Sequence, residues 1–260
     1  PDIIIHMAAQ SLVLNSYLDP IKTYKTNVLG TVNLLNSLRN LKKPTLTLII
    51  STDKCYENDQ KDLVTLNEDA SLGGNDPYSS SKACLELVVR AFNKSYFEKN
   101  NNHKIVTARS GNVIGCADFA ENRLIPDFFR GIKKNKISIR NPESRRPWQH
   151  IHDVNWGYLK LLFYISKRKN FYKSWNFGPQ VKQCLKVKTI VKILNKDIGL
   201  KVKFYKSNYY EKKVLILNSI RSKKILNWKN NFTTVKALED VKNWFLSDFK
   251  NYQLLKNAIK

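Results

Sequence analysis

Residues 46–54 read Leu46-Thr47-Leu48-Ile49-Ile50-Ser51-Thr52-Asp53-Lys54, five apolar or β-branched positions running straight into four polar ones. A short apolar run closed by polar residues is the pattern of a buried strand ending in a loop. Upstream, Ile3 to Ile5 repeats it: a β-branched run ending at His6-Met7-Ala8-Ala9, expected to be a central strand opening into a loop of small residues. Between the two, Asp19-Pro20 has the form of a helix N-cap with proline at the first helical position. Behind it Ile21, Tyr24, Val28, Val32, Leu35 and Leu38 recur at helical spacing, and Lys42-Lys43-Pro44 should close the helix. Downstream, a polar loop with Gly73-Gly74 and Pro77 leads into a helix expected from Tyr78 to about Lys99, with Leu85, Val88, Val89 and Phe92 apolar. Ile105 to Ala108 is a third strand, followed by Arg109-Ser110-Gly111-Asn112. Strand, helix, strand, helix, strand at this spacing predicts βαβ units and an α/β fold on a parallel sheet. Ligands of such sheets sit at the carboxyl ends of the strands, so Ala8 to Gln10, Thr52 to Lys54 and Arg109 to Asn112 should line one crevice.

After about residue 122 the elements shorten. We expect helices at Arg123 to Lys133, Asp153 to Ser166, Val187 to Leu194 and Val235 to Leu246, with short strands at Ile137 to Arg140 and Trp175 to Gly178. This divides the chain into residues 1–121, a sheet domain, and residues 122–260, mainly a smaller α+β lobe over the crevice, with some segments able to return to the sheet.

The 260 residues carry 45 Lys and Arg against 21 Asp and Glu, a net charge of +24, and 42% are hydrophobic. That composition is globular and excludes wholesale disorder. No apolar run approaches the roughly 18 residues of a membrane span, so no membrane partner is expected. The charge raises nucleic acid as a partner. However, Lys, Asn and Ile are all frequent, as in A/T-rich coding sequence, and residues 181–260 alone hold 18 Lys and one Arg against five acids. With no nucleic-acid motif and no aromatics interleaved with a basic stripe, none is expected. The four cysteines, Cys55, Cys84, Cys116 and Cys184, form no CxxC pair, so reduced thiols in a cytoplasmic protein are the expectation. His6, His103 and His152 lack metal-ligand spacing, and no metal is assigned.

Three groups of residues carry chemistry. Tyr78-Ser79-Ser80-Ser81-Lys82 puts a phenol and an ammonium four residues apart, on one helix face. The ammonium should lower the phenol's pKa from about 10 and let it take a proton from an alcohol. Asp53-Lys54, directly after a strand, offers an acid to protonate a leaving hydroxyl and an amine to accept a proton. Arg145-Arg146-Pro147-Trp148-Gln149-His150, with Arg123 and Arg140, offers guanidinium forks suited to a diphosphate. Asn27, mid-helix among apolar residues, should hydrogen-bond backbone or hold a water. No G-x-G-x-x-G occurs in these residues.

Together, His6-Met7-Ala8-Ala9-Gln10, Thr26-Asn27-Val28-Leu29-Gly30-Thr31, Ser51-Thr52-Asp53-Lys54 and Tyr78-xxx-Lys82 resemble the extended short-chain dehydrogenase/reductase superfamily. Within it the chain is similar to the CDP-glucose 4,6-dehydratases. Thr52 to Asn58, Leu72 to Ala83, Gly111 to Gly115, Arg123 to Asp127, Arg140-Asn141-Pro142, Arg146 to His150 and Trp175 to Pro179 carry the narrower likeness. The resemblance implies a Rossmann-type doubly wound sheet with a nucleotide-sugar-binding lobe, and NAD as cofactor. It implies a hydro-lyase that oxidises CDP-glucose at C4, loses water across C5–C6 and returns hydride to C6, yielding CDP-4-keto-6-deoxyglucose. Tyr78, helped by Lys82 and Thr52, would take the C4 hydroxyl proton, Lys54 the C5 proton, and Asp53 would protonate the departing C6 hydroxyl. Ala8, Ala9, Gln10, Asn27, Ser51, Tyr78, Lys82 and Arg109 would contact the cofactor. Asn112, Arg123, Arg140, Arg146 and His150 would contact the substrate. A homodimer or homotetramer supplying deoxysugars for surface polysaccharide, such as lipopolysaccharide O-antigen, is also implied. An epimerase, or a dehydratase of dTDP-, GDP- or UDP-sugars, is the alternative, and a non-catalytic remnant a third.

Two departures stand out. Cys116-Ala117 replaces the Gly-Gly that the resemblance leads one to expect after Gly115. The chain also opens at Pro1 inside an expected strand, on an apolar run that does not read as a signal peptide. We therefore expect the first three βα units, roughly 80 residues at about 30 per βαβ unit, to be missing. These 260 residues alone should then neither bind NAD tightly nor turn over.

Overall fold

The computed structural model describes residues 1–57, 65–98 and 103–247; Asn58 and Lys99, named above, lie outside the described residues. Its strands are β1 (Ile3–His6), β2 (Thr45–Ile50), β3 (His103–Ser110), β4 (Val113–Ile114), β5 (Lys136–Arg140), β6 (Gln149–His150), β7 (Ser174–Phe177) and β8 (Lys201–Tyr205). Its helices are α1 (Val13–Leu18), α2 (Pro20–Tyr24), α3 (Gly30–Arg39), α4 (Pro77–Phe92), α5 (Leu124–Ile132), α6 (Ile151–Ser166), α7 (Val187–Asn195), α8 (Ile220–Ile225) and α9 (Thr234–Ser247).

Alternation along the strands builds two layers on one sheet. Strands β1, β2, β3 and β7 pair in that order, all parallel, with His6 beside Ile49, Ile50 beside Ala108 and Ser110 beside Phe177. Ile49 and Ile105 face one side, where Leu35 and Leu38 of α3 and Leu85 and Val89 of α4 bury them. Leu48, Val106 and Ala108 face the other, against Val154, Leu161 and Ile165 of α6. The parallel register puts the carboxyl ends of β1, β2 and β3 side by side, so the predicted crevice sits at one edge of the sheet.

A separate apolar cluster, centred on Phe128, Phe129, Trp148, Ile190, Leu238 and Phe245, holds the smaller lobe. There β5 pairs with β8 and β4 with β6, both parallel. Two segments from beyond residue 122 return to the sheet, as the division leaves open for some of them. Trp175 to Phe177 forms β7 beside β3, and α6 packs on β2 and β3. Trp175 and Phe177 are fully buried only against the sheet layer, which is where their apolar area draws the strand.

Three further expectations are corrected. β1 is the edge of the described sheet rather than a central strand, with Ile3 and Ile5 50% and 43% exposed. The first long helix ends at Arg39, before Lys42, and is interrupted by a π turn, Lys25–Leu29. The wider turn moves the inward face onto Thr23, Asn27, Thr31 and Leu35, four residues apart, and leaves Ile21 67% exposed. Asp19 and Pro20 act as expected, with the Asp19 carboxylate accepting from the Lys22 amide at 2.8 Å.

The Cys116-Ala117 departure has a local consequence. Ala117 sits at φ +57°, the left-handed region where a Cβ is crowded. We expect Ala117→Gly to raise stability by about 0.5–1 kcal/mol, net of the entropy glycine adds to the unfolded chain. Chemical denaturation reads this directly, and a lowered midpoint would refute it.

Candidate active site

The crevice is a cleft of about 360 Å³ between the sheet edge and the lobe. Thr52, Asp53, Lys54, Tyr78, Asn112, Arg123, Arg140 and Arg146 all line it. β2 delivers the first three: beyond Ile50 the chain turns into a single 3-10 turn, Asp53–Cys55. The fourth comes from the start of α4, whose N-cap Asp76 accepts from the Ser79 amide at 2.9 Å and its hydroxyl at 2.5 Å. Tyr78 is fixed further by its amide donating to Ser16 Oγ at 3.1 Å.

The Thr52 hydroxyl donates to Asp53 Oδ1 at 3.0 Å, and its presence beside the Tyr78 phenol works to lower that phenol's pKa. Asp53 is 2% exposed, and its other oxygen, Oδ2, has no protein hydrogen-bond partner among the described residues. A buried carboxylate oxygen left open in a cleft is costly unless it serves a ligand. Lys54 has its pKa lowered, first by burial and then by Arg146, against Asp53 and Glu211, which raise it. A lysine so placed reaches its neutral, basic form more readily than one in water.

The Tyr78–Lys82 pair corrects a sequence expectation. Burial raises the phenol's pKa rather than Lys82 lowering it, and Thr52 only partly opposes the rise. Lys82, 3% exposed, donates to the Ile50 carbonyl at 3.1 Å, and burial pushes it down to about 8. An ammonium with a folded pKa below its unfolded value costs stability wherever it is charged. Stability therefore rises with pH through the window from about 8 to 10.5, where the unfolded chain binds the extra proton. We expect Lys82→Met to melt higher than the parent at pH 7, by about 1–3 kcal/mol of stability, and the gain to vanish above pH 11. Thermal unfolding across that range checks it; a gain that persists at high pH would contradict it.

The remaining predicted residues lie outside the cleft lining. Asn27 is fully buried, and its side chain clamps the loop after β1. It accepts from the Gln10 amide at 2.8 Å and donates to the Gln10 carbonyl at 3.0 Å and to Ser81 Oγ at 2.9 Å. That ties Ala8, Ala9 and Gln10 to the first turns of α4. Ser51 is buried at the end of β2.

Arg109, expected at the cofactor, turns inward. It is 3% exposed and forks onto Glu86 at 2.9 and 2.8 Å, while Nη1 donates to the Tyr56 hydroxyl at 2.8 Å and the Glu68 carbonyl at 3.1 Å. Four of its five N–H donors are spent within the protein. His150, expected at the substrate, caps α6: its Nδ1 accepts from the His152 amide at 3.0 Å, and its ring stacks on Phe232 at 4.2 Å. Burial and His152 lower its pKa. Its place is the packing between α6 and the segment before α9.

The sequence reading missed Glu211. It lines the cleft and accepts from Arg140 Nε at 2.8 Å. Burial works to raise its pKa, but Arg140, Arg146 and Lys54 outweigh burial and hold it below the usual carboxylate range. No motif marks it, and its partner stands 71 residues away. Among the described residues no three His, Cys, Asp or Glu side chains gather as a metal site would require. No described helix is long and apolar enough to cross a membrane.

A parallel sheet with helices on both faces, carrying a Tyr-xxx-Lys pair and a polar turn at a strand end opposite arginines of a second lobe, is a Rossmann-like fold. The profile of the GDP-mannose 4,6 dehydratase family matches residues 1–241, and the chain belongs to that family. The CDP-glucose 4,6-dehydratase of Salmonella typhimurium is 42% identical over 197 residues, covering 74% of this chain and 55% of that enzyme. The Arabidopsis thaliana trifunctional UDP-glucose 4,6-dehydratase/UDP-4-keto-6-deoxy-D-glucose 3,5-epimerase/UDP-4-keto-L-rhamnose-reductase is 28% identical over 249 residues, covering 94% of this chain and 36% of that protein. The chain thus spans about half the length of the first relative and about a third of the second. The dTDP-glucose 4,6-dehydratase of Streptomyces venezuelae, solved with NAD bound, shares the fold with a TM-score of 0.82. That match covers 95% of this chain and 74% of that one, at 22% identity.

Proposed function

We propose that this chain carries the catalytic part of an NAD-dependent nucleotide-sugar 4,6-dehydratase acting on CDP-glucose. The observation that carries this reading is the adjacent pair Asp53–Lys54 at the cleft floor, one with an open buried carboxylate oxygen and the other with a lowered pKa, beside Thr52 and Tyr78. Simple oxidation or epimerisation at C4 has no use for such a pair. The choice of CDP-glucose is supported by the Salmonella relative, the choice of NAD by the Streptomyces fold relative.

The residues present fit the nicotinamide end of the cofactor. Ala8 and Ala9 offer only methyl groups in a loop that Asn27 pins against α4, the helix that carries Tyr78 and Lys82. When bound, NAD supplies the hydride acceptor for oxidation at C4 and the donor for reduction at C6. Tyr78, which lines the cleft with Thr52, takes the proton of the C4 hydroxyl. Lys82, still mostly an ammonium at pH 7, offsets the charge of the phenolate that accepts this proton and so becomes a neutral phenol. Once C4 is a ketone the C5 proton is acidic, and Lys54 accepts it. Asp53 then protonates the C6 hydroxyl as it leaves as water. Arg146, with Arg140 and Arg123, holds the diphosphate through charge-assisted hydrogen bonds.

The test is turnover of CDP-, dTDP-, UDP- and GDP-hexoses by the intact polypeptide carrying this chain, read by the alkaline absorbance of a 4-keto-6-deoxy product. CDP-glucose should be converted with the highest kcat/KM. A 4-keto product from another nucleotide sugar but not from CDP-glucose would overturn the base assignment. A 4-epimer without loss of water would overturn the dehydratase.

A further inference from the structure

Two neighbouring residues far from every motif join the anion site to the acid–base turn. Glu211 Oε1 accepts from Arg140 Nε at 2.8 Å, and Oε2 stands 3.8 Å from Arg146 Nη2. Those are the guanidinium groups a diphosphate would need. Lys212 points the opposite way. It is 4% exposed, and its ammonium donates to the backbone carbonyls of Tyr56 and Lys54, the latter at 3.3 Å. These carbonyls flank Cys55 in the 3-10 turn that begins at Asp53. The segment is strapped in place on its far side: the Lys213 carbonyl accepts from the Arg145 amide at 2.8 Å and from Arg146 Nη1 at 3.2 Å.

A buried ammonium is expensive, and apolar packing would serve a merely structural position better. Here the ammonium meets the backbone of the residue whose amine takes the C5 proton. A buried carboxylate on an arginine pair is equally expensive in a cleft meant for an anion, because the two anions compete.

We propose that Glu211 and Lys212 form a strut coupling diphosphate binding to the position of the Asp53–Lys54 turn. Glu211 occupies the arginines until the diphosphate displaces it, and Lys212 carries the displacement to the turn through the carbonyls of Lys54 and Tyr56. The identity of the anion rests on the nucleotide-sugar reading of the cleft. Both are positioning residues, acting through the arginines and through Lys54.

Inorganic pyrophosphate, which has neither base nor sugar, is the first probe, titrated calorimetrically into the intact polypeptide. Glu211→Gln removes the competing charge and should tighten pyrophosphate binding by about tenfold. Unchanged or weaker binding overturns the displacement. In the parent, pyrophosphate should alter hydrogen exchange at the amides of residues 52–57. In Lys212→Met it should not, while the pyrophosphate Kd stays within about twofold of the parent, since no anion contact is lost. Parent amides that do not respond, or Lys212→Met amides that respond as the parent's do, overturn the relay. If Lys212→Met does not fold, Glu211→Gln alone decides: its amides at 52–57 should already be shifted without pyrophosphate, and unshifted amides overturn the relay.

In turnover, Lys212→Met should lower kcat about tenfold or more at unchanged KM, because the turn is misplaced while binding is kept. Lys212→Arg, which can still donate to both carbonyls, should restore most of the loss. The two readings fail separately. Pyrophosphate results as expected without a 4-keto product from any nucleotide sugar would remove the dehydratase and keep the strut. A 4-keto product with contrary pyrophosphate results would remove the strut alone.

Discussion

Asp53→Asn will halt the reaction after C4 oxidation. The amide is isosteric and can still accept from the Thr52 hydroxyl, so the turn and Tyr78 keep their places. What it loses is the ability of the open oxygen to hand a proton to a leaving hydroxyl, the role proposed for Asp53 above. General acid catalysis is worth about 10²–10⁴-fold, and the overall rate should fall by that amount. The arrest has its own signature. Reduced nicotinamide absorbance should build up with substrate and persist, whereas the parent should show little at steady state. Loss of both the absorbance and the product would mean that Asp53 serves the oxidation or the fold instead. Because Thr52 adjoins both Tyr78 and Asp53, Thr52→Val should impair both halves, which separates a relay residue from an acid.

The second large effect is on stability. Arg109→Met should destabilise the protein by about 3–5 kcal/mol, because it strands the Glu86 carboxylate. Both side chains of this pair are 3% exposed. Burial works to raise Glu86's pKa, but Arg109, with Ser51 and Thr107, outweighs burial and holds it below the usual carboxylate range. Thr107 Oγ1 donates to Glu86 Oε2 at 2.8 Å. Without the guanidinium, the Tyr56 hydroxyl keeps only its 2.6 Å donation to Asn176 Oδ1, and the Glu68 carbonyl loses a donor. Denaturant unfolding measures the loss. The double variant Glu86→Gln, Arg109→Met should recover part of it, since an uncharged pair leaves no stranded ion. A single variant that costs less than 1 kcal/mol would show that the network is not what holds α4 to β3 beneath the site.

The same pair shows where sequence reasoning stops. The sequence alone points to Arg109 as a ligand, because it follows the apolar core of β3 at the end of the sheet where ligands bind. Strand parity aims it at α4, where Glu86 lies on the same helix face as Tyr78 and Lys82. Glu86 is visible in the sequence as the residue four beyond Lys82, but nothing in a list of residues says which strand its face meets. His150 failed for a similar reason: beside two arginines and a tryptophan it looked like part of an anion site, yet helix capping and Phe232 claim its ring. The pairing of Tyr78 with Lys82 is legible because the relation is local, i and i+4 on one helix, but the sense of Tyr78's pKa shift is not. Desolvation depends on everything packed around a group, and here it outweighs the lysine's charge.

The sequence by itself determined the order of strands and helices, the cleft at the strand ends, and the cluster of Thr52, Asp53, Lys54, Tyr78, Arg123, Arg140 and Arg146. These follow from short-range patterns: apolar periodicity, caps, and polar residues placed just after strands. Only the tertiary structure decided that β7 and α6 belong to the sheet, that the first long helix presents a polar face inward across its π turn, and that Glu211 and Lys212 reach from the lobe to the arginines and the acid–base turn. Each of those depends on contacts between residues far apart in the chain. Their energies come from burying area and pairing charge in three dimensions, and a linear pattern does not encode which partners will meet.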